Sequence, residues 1–374
     1  VVNAISRTSV AVAALMVAVA VVVGVGVMIA SFRNTVTIWL GQTLQGDIYI
    51  SAPSFTANIS LVEVEPGVVE IVKNWPDVET VNRQRTVQVQ ARQGSLELTA
   101  TDNARLGQER LFKSLRGTRD AVWYEMLAGQ VLVSEPLANR LGLAAGDALE
   151  LQTEQGWRAF SILGVYYDYA SSEGAVMMAM DVYRQAWQDN GVTSLGLRLK
   201  KGMDVDAVTR SLQDRLGTLQ RLNIRPNQAL RADVMDVFDR TFAITSALRI
   251  LATVVAFIGV LSALLLLQLE KQREIGILRA LGLTGRQLWR LVMLETGLMG
   301  LAAGLLALPA GYALSLILVY VINQRSFGWT IQMLVPPETF LQALLVALLA
   351  ALLAGIYPAW RMSRLAAAEA VRYE

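Results

Sequence analysis

The chain has 374 residues, 54% of them hydrophobic and only 17% charged, with a mean hydropathy of +0.42; soluble domains carry about 25% charged residues, so lipid must be one of its solvents. Its 33 basic and 31 acidic residues leave a formal charge of +2, too small and too dispersed to make an electrostatic case for nucleic acid. Cys and His are both absent, which removes disulfides, thiolate and imidazole metal ligands, and the Ser-His and Cys-His nucleophile pairs.

The average hides two populations, since polar and charged residues crowd into 33–240 while the rest is close to purely apolar. The first residue is Val1 rather than Met, and an apolar run begins a few residues later, which points to a fragment or a processed form. Residues 1–32 predict a first transmembrane helix. Its charge-free centre, 10–30, is long enough at 1.5 Å per residue to cross about 30 Å of hydrocarbon. A signal peptide would have a shorter apolar core and a cleavage site of small residues, whereas this run extends to Ile29 and meets Phe32 and Arg33.

Residues 33–240 predict a mixed α/β domain. Short alternating runs at 47–51, 86–91 and 96–100 read as half-buried strands, as do 130–134, 149–152 and 160–164. Between them, 66–74 has Pro66 near a helix start, 135–140 reads as a short helix, and 204–219 is an amphipathic helix opening on an Asp204 cap. Gly142 and Gly146 punctuate turns, and 231–242 already has helical spacing, which predicts one long helix running into the next span.

A second transmembrane helix is predicted over 241–269, charge-free from 250 onward, with Arg249 placed to snorkel. A polar segment over 270–290 follows it. The third helix, 291–322, carries Gly297, Gly300, Gly304 and Gly311 at spacings suited to close helix packing, with Pro309 a candidate kink. An outer loop, 323–339, leads to a fourth helix, 340–360, which ends on Tyr357, Pro358 and Trp360 before a tail at 361–374. The fold class is therefore an α-helical membrane protein of four transmembrane helices, with a mixed α/β extracytoplasmic domain inserted between helices one and two.

Basic residues set the orientation. Lys271, Arg273, Arg279, Arg286 and Arg290 lie between spans two and three, and Arg361, Arg364 and Arg372 follow span four, whereas the 323–339 loop holds only Arg325 and Glu338. Both termini are expected in the cytoplasm and the large domain outside.

No catalytic or metal site emerges in the domain. Asp102, Asp120, Glu125, Asp147 and Asp168 are scattered and read as solvated surface acids. Trp123, Tyr124, Tyr166, Tyr167 and Tyr169 would contact a hydrophobic substrate or partner, or else finish a core or domain edge. The segment Glu270-Lys-Gln-Arg-Glu-Ile-Gly-Ile-Leu-Arg-Ala-Leu-Gly282 is more informative. As a helix it sets Ile275, Leu278 and Leu281 toward one side, flanked by Lys271, Glu274 and Arg279 and capped by Gly282. Such a ridge would dock into a groove on another protein or lie among lipid headgroups; residue chemistry alone leaves both open.

The stretch Arg273-Glu-Ile-Gly-Ile-Leu-Arg-Ala-Leu-Gly282 resembles the signature of the FtsX/MacB-like permease family of ABC transporters. The ending, with Tyr357-Pro-Ala-Trp-Arg361 and Glu369-Ala-Val-Arg-Tyr-Glu374, and the order of one span, a large outer domain and three further spans are similar to that family as well. The resemblance implies that Glu270, Lys271, Arg273, Glu274, Ile275, Leu278, Arg279, Leu281 and Gly282 contact a separate cytoplasmic ABC ATPase. ATP and Mg would belong to that partner, because this sequence lacks a Gly-x-x-x-x-Gly-Lys-Ser/Thr phosphate loop and no cofactor is expected in the chain itself. The resemblance also implies a second permease module, the same or a related chain, packed against this one in membrane lipid, with room for a periplasmic partner. Two functions follow: export or extraction of an amphiphile such as a lipid, lipoprotein, peptide or antibiotic, or a non-transporting coupler that activates an outer hydrolase or sensor. The span centres carry almost no polar groups, which argues against an aqueous channel without separating the two.

Overall fold

A computed structural model of the chain describes residues 2–53, 62–170 and 173–364, with the backbone alone described at 2–8, 10, 11, 245, 246, 248, 249, 252, 253, 256, 259, 260, 263–276, 278–280, 358 and 361–364. The chain divides into two compact units. One holds the long apolar helices: residues up to Asn34, Asp239–Ile322, and those from Ile331 on. The other holds Thr35–Phe238 together with Asn323–Thr330.

The first helix, α1 (Val2–Thr43), outruns the predicted boundary at 32, because Thr35–Thr43 contains no proline and the helix runs through its one glycine, Gly41. In the second unit the chain then builds β1 (Ile48–Ser51), α2 (Pro66–Lys73), the hairpin β2 (Val78–Ala91) and β3 (Gly94–Thr101), α3 (Leu106–Glu109), β4 (Phe112–Leu115), α4 (Val122–Leu127), β5 (Val131–Ser134), α5 (Glu135–Leu141), β6 (Ala148–Thr153), β7 (Gly156–Tyr166), β8 (Ala175–Ala179), α6 (Met180–Trp187), β9 (Ser194–Leu199), α7 (Val205–Leu216) and β10 (Asn223–Pro226). The ten strands form one sheet in the order β10-β1-β9-β2-β3-β8-β5-β7-β4, with β6 pairing β2 and β7. The β3–β8 and β5–β7 pairs are parallel and the others antiparallel.

The predicted local signals operate here. Pro66 opens α2, Gly142 takes the left-handed conformation that ends α5, and the Asp204 carboxylate accepts from the backbone N–H groups of Asp206 and Ala207 to cap α7. Two apolar cores form on the sheet. One joins β3 and β5–β8 to α4–α6 through residues such as Leu98, Met126, Leu132 and Phe160; the other joins β1, β9 and β10 to α2 and α7 through Ile50, Val68, Leu195 and Leu212. Arg85 ties these regions together, reaching Glu63 at 2.8 Å and Asp189 at 2.8 Å, while the Tyr183 hydroxyl donates to Asp189 at 2.6 Å. Burial works to raise the Asp189 carboxyl, but the Tyr183 hydroxyl, the Gly191 N–H and Arg85 hold it below the usual carboxylate range.

The solvated-acid reading fails at Asp168, which is 7% exposed, and at Asp102, which takes hydrogen bonds from both the backbone and the guanidinium of Arg83. Of the aromatic cluster, Tyr166 and Tyr169 are buried while Tyr124 is exposed, so the cluster does not form one surface.

Three helices in the described residues are long and apolar enough to cross a membrane, over Val12–Thr43, Gly285–Phe327 and Pro337–Tyr357. The predicted second span lies within α8 (Asn227–Ala280), a single unbroken helix of 54 residues, and much of its side-chain detail falls outside the described residues. α9 (Gly285–Leu316) passes through Pro309 without interruption and continues as a π-helical turn at Ile317–Ile322; α10 (Asn323–Phe327) and α11 (Pro337–Arg364) complete the chain.

Small residues bring the apolar helices together. A Cβ on Gly300 would lie 2.5 Å from the Ala351 Cβ, one on Gly304 2.8 Å from Leu344, and one on Gly311 2.5 Å from the Val23 Cβ. Gly297 has more room, its nearest neighbour being Leu352 at 3.5 Å. Within this unit Gly300 and Gly304 therefore serve the α9–α11 contact and Gly311 the α9–α1 contact, so these positions are filled by this chain rather than held open for a second module. Such close approach replaces the hydrophobic drive that lipid abolishes. Leu341, Leu345, Leu349 and Leu353, four residues apart along α11, are exposed together, the stripe that acyl chains cover.

Candidate functional site

The predicted coupling segment is the last part of α8 and the turn into α9. Leu281 donates its N–H to the Ile277 carbonyl at 3.0 Å, and Gly282 then takes φ +98°, a conformation that costs a residue without Cβ little. Two residues on, Thr284 caps α9 in a reciprocal box: the Gln287 N–H donates to its Oγ1 at 3.3 Å, and the Thr284 N–H donates to Gln287 Oε1 at 2.9 Å. Leu283 and Met293 pack on buried Leu288, Val292 and Ala359, so α11 anchors the start of α9.

The turn presents an apolar edge. Leu281 is 79% exposed and Ile277, one helical turn earlier and thus on the same side, is 53% exposed. Arg286 and Arg290 are exposed beyond it. Glu270, Lys271, Arg273, Glu274, Ile275, Leu278 and Arg279 all lie on the α8 backbone, with side chains outside the described residues. Two residues of this turn escaped the sequence reading: Ile277, which sits inside the quoted motif, and Thr284, whose Thr-x-x-Gln spacing is a legible capping signal.

A second constellation involves the connection between α9 and α11. The predicted outer loop 323–339 is divided, because Asn323–Thr330 belongs to the α/β unit. Its anchor is Glu135, at the start of α5 and 0% exposed. The Glu135 carboxylate accepts from the Thr330 backbone N–H at 2.9 Å and from its hydroxyl at 2.7 Å, and pairs with Lys113 Nζ at 2.8 Å. The Asn139 amide donates to the Gly328 carbonyl at 2.6 Å, and the Tyr169 hydroxyl to the Thr330 carbonyl at 2.8 Å. Trp329 stacks on Phe327 and meets Tyr169 edge-on. Glu135→Ala leaves both Thr330 donors without their acceptor and Lys113 with the Asn139 Oδ1 acceptor alone, at 3.1 Å, and the expected loss is about 3 kcal/mol. A lowered unfolding temperature of the purified chain, with a smaller loss for the isosteric Glu135→Gln, checks this; an unchanged midpoint for Glu135→Ala contradicts it.

Lipid-length helices joined to an α/β domain, with an exposed apolar turn rimmed by arginines, make up a permease-type membrane protein. A family model described as MacB-like periplasmic core domain matches residues 8–215, and one described as FtsX-like permease C-terminal matches residues 246–367. The chain belongs to this FtsX/MacB-like family of ABC transporter permeases. It is 42% identical over its whole length to an uncharacterized ABC transporter permease protein of Mycobacterium tuberculosis, of which it spans 44%. Over 65% of the chain it is 24% identical to the lipoprotein-releasing system transmembrane protein LolC of Xylella fastidiosa, covering 65% of that protein. Over 66% of the chain it is 27% identical to the macrolide export ATP-binding/permease protein MacB of Escherichia coli K12, covering 36% of that protein. The chain thus spans less than two thirds of the length of each of these relatives.

Proposed function

We propose that this chain is a non-catalytic permease module that receives work from a separate cytoplasmic ABC ATPase, which supplies ATP and Mg, and delivers it to the outer domain to export or extract an amphiphile. The observation that carries the reading is the continuity of α8. A helix of 54 residues rises about 80 Å, enough to join the last strand of the α/β domain to the exposed turn at Ile277 and Leu281 without a break. A helix of i→i−4 hydrogen bonds transmits axial displacement because bending it requires a breaker, and none is present between Asn227 and Ala280 apart from Gly259 and Gly276.

The relatives named for lipoprotein release and macrolide export favour a transported amphiphile over a coupler that moves nothing. Four spans with both termini in the cytoplasm and the domain outside complete the reading, with a second module of similar shape, membrane lipid and a periplasmic partner around them. It requires the domain to lie across the membrane from the ATPase. A cysteine at exposed Gln152 is expected to react with an impermeant thiol reagent added to intact cells. Labelling only after lysis would reverse the orientation.

A further inference from the structure

One cavity of about 350 Å³ in the α/β unit lies among the end of α1, the sheet face and the segments flanking β4 and β7. This is near the low end of the roughly 300–1,000 Å³ common to small-molecule pockets. Three buried polar atoms without a hydrogen-bond partner among the described residues, Trp39 Nε1, Thr43 Oγ1 and Arg110 Nε, belong to residues that line it. Buried polar groups are paired in the great majority of cases, so three orphans on residues of one lining single this cavity out.

The charges in the lining are unmatched as well. Arg110 is 8% exposed and makes no salt bridge among the described residues; its guanidinium instead sits 5.1 Å from the Tyr166 ring centroid. Glu97 and Asp168 line the same cavity, also without a salt bridge among the described residues, where Asp168 accepts a single hydrogen bond, at 3.3 Å from the Ala170 N–H. Burial first, and then the Asp168 charge, push the Glu97 carboxyl up. A buried cation and two carboxylates share one space without a direct ion pair among them, an arrangement that is costly unless something else pairs them.

We propose that this cavity binds a small zwitterion, of amino-acid to dipeptide size, whose carboxylate accepts hydrogen bonds from Trp39, Thr43 and Arg110 and whose ammonium is received by Glu97 and Asp168. A simple anion would satisfy Arg110 but add negative charge beside two carboxylates. A simple cation would leave all three donors orphaned. The indole of Trp39 and the ring of Tyr166 supply apolar wall for a side chain.

The test is isothermal titration of the purified full chain in lipid nanodiscs with phenylalanine and with the dipeptide Gly-Phe. It contains neither ATPase nor nucleotide, so its outcome is independent of the coupling proposal. Gly-Phe is expected to bind, and N-acetyl-Gly-Phe and Gly-Phe amide, each lacking one charge, to bind about tenfold more weakly, the loss of one charged hydrogen bond. Arg110→Gln is expected to weaken Gly-Phe by a similar factor or more. Thr43→Val removes an unpartnered hydroxyl, so it should weaken binding while raising the unfolding temperature of the ligand-free chain, a combination that a purely structural threonine would not give. Absence of binding by both zwitterions, equal affinity for the free and blocked forms, or affinity unaltered in both variants would overturn the proposal.

Discussion

Leu281→Asp is expected to reduce stimulated ATP hydrolysis in the reconstituted complex about a hundredfold while leaving the chain folded and inserted. Leu281 makes little use of the fold, being 79% exposed at the end of α8, so an Asp there opens no cavity and strains no neighbour. Its effect arises at docking. A carboxylate driven into an apolar groove without a partner costs about 3–5 kcal/mol, and about 2.8 kcal/mol is already a hundredfold in affinity. Leu278→Asp, one turn back on the same helix, should act in the same direction. The check is the ATPase rate of the partner with wild-type and variant chains at matched reconstitution; undiminished turnover in both variants would remove the docking role. Ile277→Asp tests the width of the edge, since Ile277 and Leu281 sit one turn apart.

The helical half was legible because lipid imposes a crude rule: an apolar run of about 20 residues with no charge has few other uses. The same rule hides internal detail. Gly300, Gly304 and Gly311 advertise close packing, but nothing in their spacing says that the first two meet α11 and the third meets Val23 of α1. In the α/β domain, alternating stretches such as β2 and β3 declared themselves, whereas β8 did not. All five residues of Ala175–Ala179 are buried, so the period of two that marks a half-buried strand is missing. β9 alternates, with Leu195, Leu197 and Leu199 buried, but Gly196 weakens its strand signal on the opposite face, where a Cβ would come within 3.2 Å of the Tyr49 ring.

Charged residues were the least legible. Asp168 read as a surface acid, and Glu135 only as the start of a short helix, because burial of a carboxylate depends on partners distant in sequence: Thr330 is 195 residues from Glu135, and Arg110 and Glu97 meet Asp168 only around a shared cavity. No local pattern encodes such a meeting. The capture of Asn323–Thr330 by the α/β unit has the same origin, since Asn139 and Tyr169 carry no signal for partners 189 and 161 residues away.

The second large effect concerns α8 itself. A Gly-Pro-Gly insertion after exposed Ala243 breaks the hydrogen-bond ladder, because proline lacks the N–H and clashes with the carbonyl four residues earlier, a cost of about 3 kcal/mol or more to helical continuity. It also shifts the register of everything beyond it. If displacement travels along the helix, hydrolysis by the ATPase docked at the turn and motion of the domain come apart: the ATPase still turns over, while transport falls to background.

Hydrogen exchange of the α/β domain, compared with and without vanadate-trapped nucleotide on the partner ATPase, tests this most directly. The account predicts a nucleotide-dependent change in protection at the start of α8 and in residues 323–330 of the native chain, abolished by the insertion after Ala243 while ATP hydrolysis persists. The same nucleotide-dependent change in the interrupted chain would contradict it.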